Sequence, residues 1–458
     1  MRKLGKDVKT SSSSDDMGGK GGKGQAHDET LRDYHDMGGK GGKGAPSPSP
    51  PAYIACEHIE KGTPKDNKDT TVPTSTEYDE AVDKLDMKAV KEDMAKLLKN
   101  SDPCWPADQG NYAGLMARLA WHCSGSYRKQ DGVGGCMGGR QRFEPERSWP
   151  DNTNLDKARA LLYPLKKKYG AALSWGDLII LAGTTAYREA GMPVARMCFG
   201  RQDEQDGTTA LLLGPTKQQE ENFPCLDENK QPTDNGKCSH PLPTTVGLVY
   251  VNPEGPMRNP DPKLSVAEIR RTFDTMGHSD VATVALIGGG HAIGGSHGAC
   301  AGSPGNAPKD AFEKGTDVWK GECGSGIGKD TYTSGIEGYW TTKPFTWDNE
   351  FFKYLLDKEW ELWEGPGKHQ QWRVKGETGG GVMRMTSDMA LLEDESYLEI
   401  VKNFSNDMYA LNTAFDAAWD KLTSRGKGVW SSNAKCDDGS TPPTTVSAMR
   451  SDDAEQIM

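Results

Sequence analysis

Three successive glycines, Gly288 to Gly290, separate an apolar run beginning at Val281 from a histidine, His291. Ser279 is placed to cap a helix through that run. Within it Val284, Gly288 and His291 share a face at spacings of four and three. Each glycine inside a helix costs roughly 0.5–1 kcal/mol relative to alanine. Three in a row therefore require something to approach the backbone closely, and a flat cofactor would. The rest of the chain must bring such a neighbour to this face.

A second stretch carries reactive side chains. In Met116 to Arg128, MARLAWHCSGSYR, a helix places Arg118, Trp121 and His122 on one face. Histidine takes up and returns a proton near neutral pH, while arginine stays charged and stabilises an oxygen that becomes anionic as a bond breaks. That pairing suits cleavage of a peroxide. A surface arginine beside a hydrogen-bonded histidine is the plain alternative, and neighbouring motifs must decide between them.

The remaining periodicity is helical. Ala81, Leu85, Met87, Val90, Met94 and Leu98 predict a helix over residues 77–100, and another is expected from about Leu155 to Tyr169. Ser174 with Asp177 reads as a capping box ahead of an apolar run, and Ser265 with Glu268 as the start of a further helix. Trp347 to Arg425 reads as more helices, interrupted by the glycine-rich GETGGGV. Periodicity is lost from Phe199 to Pro262 and from Ala299 to about Thr333, which predicts two long irregular insertions. GSGIGKDT, at Gly324 to Thr331, resembles a phosphate loop, but Cys323 and Asp330 occupy positions that such a loop reserves for glycine and a hydroxyl residue.

The ends of the chain differ from this middle. DMGGKGGKG occurs twice, at Asp16–Gly24 and Asp36–Gly44, followed by APSPSPP. Such composition buries too little apolar area to offset chain ordering, so residues 1–75 are expected to be a disordered arm, 76–430 the folded domain and 431–458 a flexible tail. The net charge of −11 argues against nucleic-acid binding as the main role. No run is long and apolar enough for a membrane span, and no apolar segment follows Met1 as in a secretory signal, so an intracellular, for example cytoplasmic, location is expected. The ten cysteines include no C-x-x-C pair. Cys225 with Cys238 and Cys300 with Cys323 are the pairs considered for bridging in an oxidising compartment; free thiols are the expectation.

Seven motifs, MARLAWH, SWPDNTNLDKARALL, SWGDLIILAG, GLVYVNPEGP, ALIGGGHAIGGSHG, GKDTYTSGIEGYW and WDNEFF, occur in one order between Glu77 and Arg425. Together they resemble the catalase-peroxidases, class I members of the haem peroxidase superfamily. The resemblance implies an all-α haem peroxidase fold with two long loop insertions and one haem b per chain. Family members typically carry a second, haem-free copy of the domain; this chain resembles the first copy, a single-domain form for which a homodimer is one expectation.

Carried onto this sequence, the resemblance makes His291 the axial ligand of the haem iron, Asp388 the carboxylate that accepts its other ring N–H, and Trp340 the ring packed beside it. His122 becomes the acid-base group of the opposite, distal side, Arg118 the stabiliser of the departing oxygen, and Asn152 the acceptor that orients His122. Asp151 falls at the narrow end of a peroxide channel and Ser334 at a channel edge. Trp121, Tyr250 and Met276 match three side chains that are covalently joined in the family and support the catalase reaction. The implied function is removal of hydrogen peroxide by peroxidase turnover, with a small-molecule electron donor, and by disproportionation. A plain peroxidase resembling ascorbate or cytochrome c peroxidases is the alternative within enzymes, and a haem-binding sensor or carrier the alternative outside them.

Overall fold

Capping residues and apolar spacing set most of the helices. The computed structural model describes residues 67–102, 107–149, 152, 154–211, 213, 225–226, 240–241, 251–256, 259–296, 336–365, 369–378 and 381–443. Its helices are α1 (Ser75–Asp83), α2 (Met87–Leu98), α3 (Ala113–Ser124), α4 (Leu155–Tyr169), α5 (Trp175–Ala190), α6 (Pro262–Met276), α7 (Asp280–Gly290), α8 (Glu350–Asp357), α9 (Thr386–Met389), α10 (Glu395–Asn406) and α11 (Met408–Thr423). The helix expected over 77–100 is two, because Asp86 accepts from the N–H groups of Lys88 and Ala89 and starts α2 afresh. Asp261, not Ser265, caps α6; Ser265 is buried inside it.

Ser174 caps α5 by accepting from the Asp177 N–H at 3.0 Å. The Asp177 carboxylate does not complete the box. Fully buried, it accepts from Gly200 N (2.6 Å) and pairs with Arg201 (2.9 Å), joining α5 to strand β1 (Cys198–Arg201). Removing either partner would leave a buried charge uncompensated, at a cost of roughly 3–5 kcal/mol.

The core runs through α2 to α11, with an aromatic knot of Tyr187, Trp347, Phe415 and Trp419 at its centre. Here the glycines before His291 find their reason. A Cβ added to Gly288 would lie 2.1 Å from the Phe352 ring, and one on Gly289 2.4 Å from the Phe415 ring. These two glycines therefore admit aromatic rings from α8 and α11, which corrects their assignment to a flat cofactor. Beyond His291 the chain turns at Gly294 (φ +73°), where it meets the first turn of α3: a Cβ on Gly114 would stand 3.0 Å from Gly294 Cα.

Two regions depart from the sequence reading. Between α8 and α9 the chain forms an antiparallel sheet of β6 (Trp360–Glu364), β7 (Gln370–Val374) and β8 (Met383–Arg384), in that order, where helices were expected. The expected tail is partly strand: β9 (Trp430–Cys436) pairs antiparallel with β1, and a Cys198–Cys436 disulfide locks the pair. Asp437 then binds Arg188 of α5 (2.7 Å) and Lys91 of α2 (3.0 Å). Along the chain between β1 and α8 lie the short strands β2 (Cys225–Leu226) with β3 (His240–Pro241), and β4 (Gly295–Ser296) with β5 (Gly338–Tyr339).

Cysteine usage also differs from the expectation of free thiols. Cys123 pairs with Cys136 and Cys198 with Cys436; among the described residues no cysteine is free. The pairs considered from sequence, Cys225 with Cys238 and Cys300 with Cys323, lie outside the described side chains, as do most of both expected insertions. Of the expected arm, residues 67–74 are ordered onto the domain: the Asn67 side chain accepts from Glu144 N at 2.6 Å, and Asp69 N donates to Gln205 O at 2.7 Å. Among the described residues no helix is long and apolar enough to cross a membrane.

Candidate active site

Helix α3 carries His122, the residue that the motif resemblance assigns to the distal side. His122 is buried, and its Nδ1 lies 3.0 Å from Asn152 Oδ1. Asn152 Nδ2 donates to Glu146 O at 2.7 Å, which fixes the amide with its oxygen toward the ring. An amide oxygen only accepts, so Nδ1 carries the ring proton and Nε2 is left as the basic nitrogen. Burial, reinforced by the nearby Arg118 charge, holds the His122 pKa well below the usual histidine range, and the Asn152 bond offsets this only in part. The imidazole is thus neutral near pH 7 and able to accept a proton. Arg118 is half-buried one helical turn before it.

Trp121 stacks on Phe273 of α6, with ring centroids 5.6 Å apart. Met276, fully buried, lies one turn beyond Phe273 on the same helix, and its carbonyl accepts from Arg425 Nη1 at 2.8 Å. Trp121 thus packs on the helix that carries Met276. Tyr250, Asp151 and Ser334 lie outside the described residues.

His291, at the end of α7, is held differently. Its Nδ1 lies 2.9 Å from Asp388 Oδ1, and the other carboxylate oxygen accepts from Met385 N at 2.8 Å. The Trp340 ring lies parallel to the imidazole, at 3.9 Å between centroids and 8° between planes. A fully buried Arg384 donates to the backbone carbonyls of Trp340 (2.7 Å) and Phe351 (2.8 Å) and so ties the main chain at Trp340 to α8. Burial lowers its pKa to about 10, which leaves it charged. Sequence reasoning missed Arg384, Glu146 and Phe273. No local pattern marks them, since each acts on a residue that the fold alone brings near.

A model of the family described as Peroxidase matches residues 90–407. The chain belongs to the peroxidase family. It is 43% identical over 372 residues to Catalase-peroxidase 1 of Haloarcula marismortui, which covers 78% of this chain and 50% of that protein. It is also 43% identical to Catalase-peroxidase of Escherichia coli over 376 residues (78% and 50%) and to Catalase-peroxidase of Leptothrix cholodnii over 387 residues (79% and 52%). The chain spans about half the length of the curated relatives it matches. The resemblance to class I haem peroxidases read from the seven motifs therefore holds, as does the helical fold.

Membership of the peroxidase family implies haem binding, and the residues present fit that group. His291 Nε2 has no hydrogen-bond partner among the described residues, and the Asp388 carboxylate fixes the tautomer that keeps this nitrogen's lone pair available. Among the described residues no cluster of three or more His, Cys, Asp or Glu side chains is grouped to hold a metal ion. A single imidazole of this kind would suit a metal whose other ligands are supplied by a macrocycle.

Proposed function

We propose that the chain is a haem oxidoreductase that removes hydrogen peroxide, both by peroxidase turnover with a small-molecule electron donor and by disproportionation. In this reading one haem b is held per chain through His291 Nε2. Asp388 accepts the Nδ1 proton and makes the ligand more electron-donating, which favours higher iron oxidation states. Bound haem would supply the iron that takes two electrons' worth of oxidation as the peroxide O–O bond breaks. His122 Nε2 would take the proton from one peroxide oxygen and return it to the other, departing one. Arg118 stabilises the charge on that departing oxygen. Asn152 holds the ring in the tautomer that this transfer needs. Asp151 and Ser334 are assigned to the route by which peroxide enters.

The observation that supports this most is the His122–Asn152–Glu146 relay, at 3.0 and 2.7 Å. A haem carrier has no need for a buried, neutral imidazole with its basic nitrogen prepared. For the disproportionation arm we propose a covalent link joining Trp121, Tyr250 and Met276; the stacking of Trp121 on Phe273 of α6, the helix that carries Met276, supports it. A conjugated aromatic group there would hold one oxidising equivalent while a second peroxide is oxidised.

One experiment separates these arms. Haem-loaded protein mixed with hydrogen peroxide alone should evolve oxygen. Tyr250→Phe should abolish oxygen evolution while sparing oxidation of an added donor. His122→Ala should slow both by about 10²–10⁴-fold with haem content unchanged. Oxygen evolution absent from wild type, with donor oxidation intact, would leave a plain peroxidase, and His122→Ala turning over at the wild-type rate would refute the acid-base assignment.

A further inference from the structure

The distal pair is joined to its own helix by a closed circuit. Asn152 Oδ1 faces His122 Nδ1 (3.0 Å), and Asn152 Nδ2 donates to Glu146 O (2.7 Å). The buried Glu146 carboxylate accepts from Arg140 Nε (3.1 Å), and Arg140 Nη2 donates to Gly135 O (2.9 Å). The next residue, Cys136, is bonded to Cys123, and Cys123 follows His122 in α3. One covalent bond therefore completes a ring of contacts that begins and ends on the distal histidine.

There is little slack in this ring. Cys123 and Cys136 are fully buried, and Arg140 and Glu146 are each 1% exposed. A Cβ on Gly135 would stand 2.1 Å from Arg425 O, so the loop backbone is pressed against the chain beyond α11. Besides the disulfide, the segment leaving α3 is tied to this loop by hydrogen bonds, from Arg128 N to Val133 O (2.8 Å) and through Ser126. Its hydroxyl accepts from Gly135 N (3.0 Å) and donates to Cys123 O (3.2 Å). Such bonds exchange readily for water once a loop moves. A covalent tie does not.

We infer that the Cys123–Cys136 disulfide is a positioning element for the His122–Asn152 pair, setting the separation between α3 and the Glu146 carbonyl that orients Asn152. Breaking it lets Asn152 drift from Nδ1, so that the ring loses its fixed tautomer and Nε2 its readiness to take a proton. The inference rests on the proposed distal role of His122. A dithiol breaks the bond by exchange: the S–S bond opens to two thiols, and the dithiol closes to its own disulfide.

The test uses haem-loaded protein and cyanide as the probe, since hydrogen cyanide must surrender its proton to a distal base as it binds. Peptide mapping after thiol alkylation without reduction should recover Cys123 and Cys136 in one linked fragment. In the Cys123→Ser/Cys136→Ser double variant, cyanide association should slow by about tenfold or more, as expected when a proton acceptor is misplaced by a fraction of an ångström. Its pH profile should also shift, with haem content unchanged. Cys198→Ser/Cys436→Ser should lower Tm and leave rate and profile alone. If the first double variant fails to fold, dithiol treatment of wild type should produce the same slowing, reversed by reoxidation. Alkylated, unlinked Cys123 and Cys136, or an unchanged rate and pH profile once the bond is broken, would overturn the inference. If His122→Ala binds cyanide at the wild-type rate, the distal reading fails and the inference with it; if His122→Ala is slow while disulfide-broken protein is fast, only the inference fails.

Discussion

The two histidines of the site differ in what holds their Nδ1. His122 faces a neutral amide, Asn152, whose own position depends on Glu146. His291 faces a carboxylate, Asp388, and lies flat on Trp340. An amide fixes a tautomer without adding negative charge, so a buried ring stays neutral and can accept a proton. A carboxylate draws the Nδ1 proton toward itself and makes Nε2 a stronger donor to a metal. One side-chain type thus acquires two chemistries from its partner.

The strongest challenge to this contrast is Arg118→Leu. Loss of a preorganised cation beside the departing oxygen should slow the reaction with peroxide by about 10²–10³-fold. Arg118 also contributes, after burial, to the low pKa of His122. Its removal should therefore raise that pKa and move the acid limb of the rate profile to higher pH; a limb that stays or moves lower in stopped-flow profiles would contradict the assignment.

Exchanging the partners sharpens the comparison. Asn152→Asp gives His122 a carboxylate, which favours imidazolium, so the rate near neutral pH should fall by about 10–100-fold and recover as pH rises. Asp388→Asn gives His291 an amide and should weaken haem affinity by roughly 10–100-fold, measured by haem titration, while leaving the acid limb in place. If both exchanges had the same effect, the two sites would not differ as described.

The smallest effect is expected far from both histidines. Deleting residues 1–66 should leave Tm and peroxide turnover unchanged, since that composition offers little apolar area. Extending the deletion through residue 70 removes the Asn67–Glu144 and Asp69–Gln205 bonds. It should lower Tm by about 2–4 °C for each kcal/mol lost.

What the sequence revealed and hid follows from the range of each interaction. The Leu155–Tyr169 helix and the caps at Ser174 and Ser279 were readable, because capping and apolar spacing act within a turn or two. Asn152 and Asp388 came from motif resemblance; nothing in their periodicity joins them to histidines 30 and 97 residues away. The glycines before His291 signalled a close approach correctly, but its source, Phe352 and Phe415, lies far along the chain. The β6–β8 sheet escaped notice because WELWE and QQWRV lack clean alternation and are only partly buried. Cys198 and Cys436 are 238 residues apart, and only strand pairing reveals their bond.

The most direct test of the contrast is haem titration of His291→Ala and His122→Ala side by side, followed by Soret absorbance. The account predicts that His291→Ala loses haem affinity and changes the iron spectrum, whereas His122→Ala binds haem as wild type does. Full Soret absorbance with unchanged iron spectra in His291→Ala would contradict it.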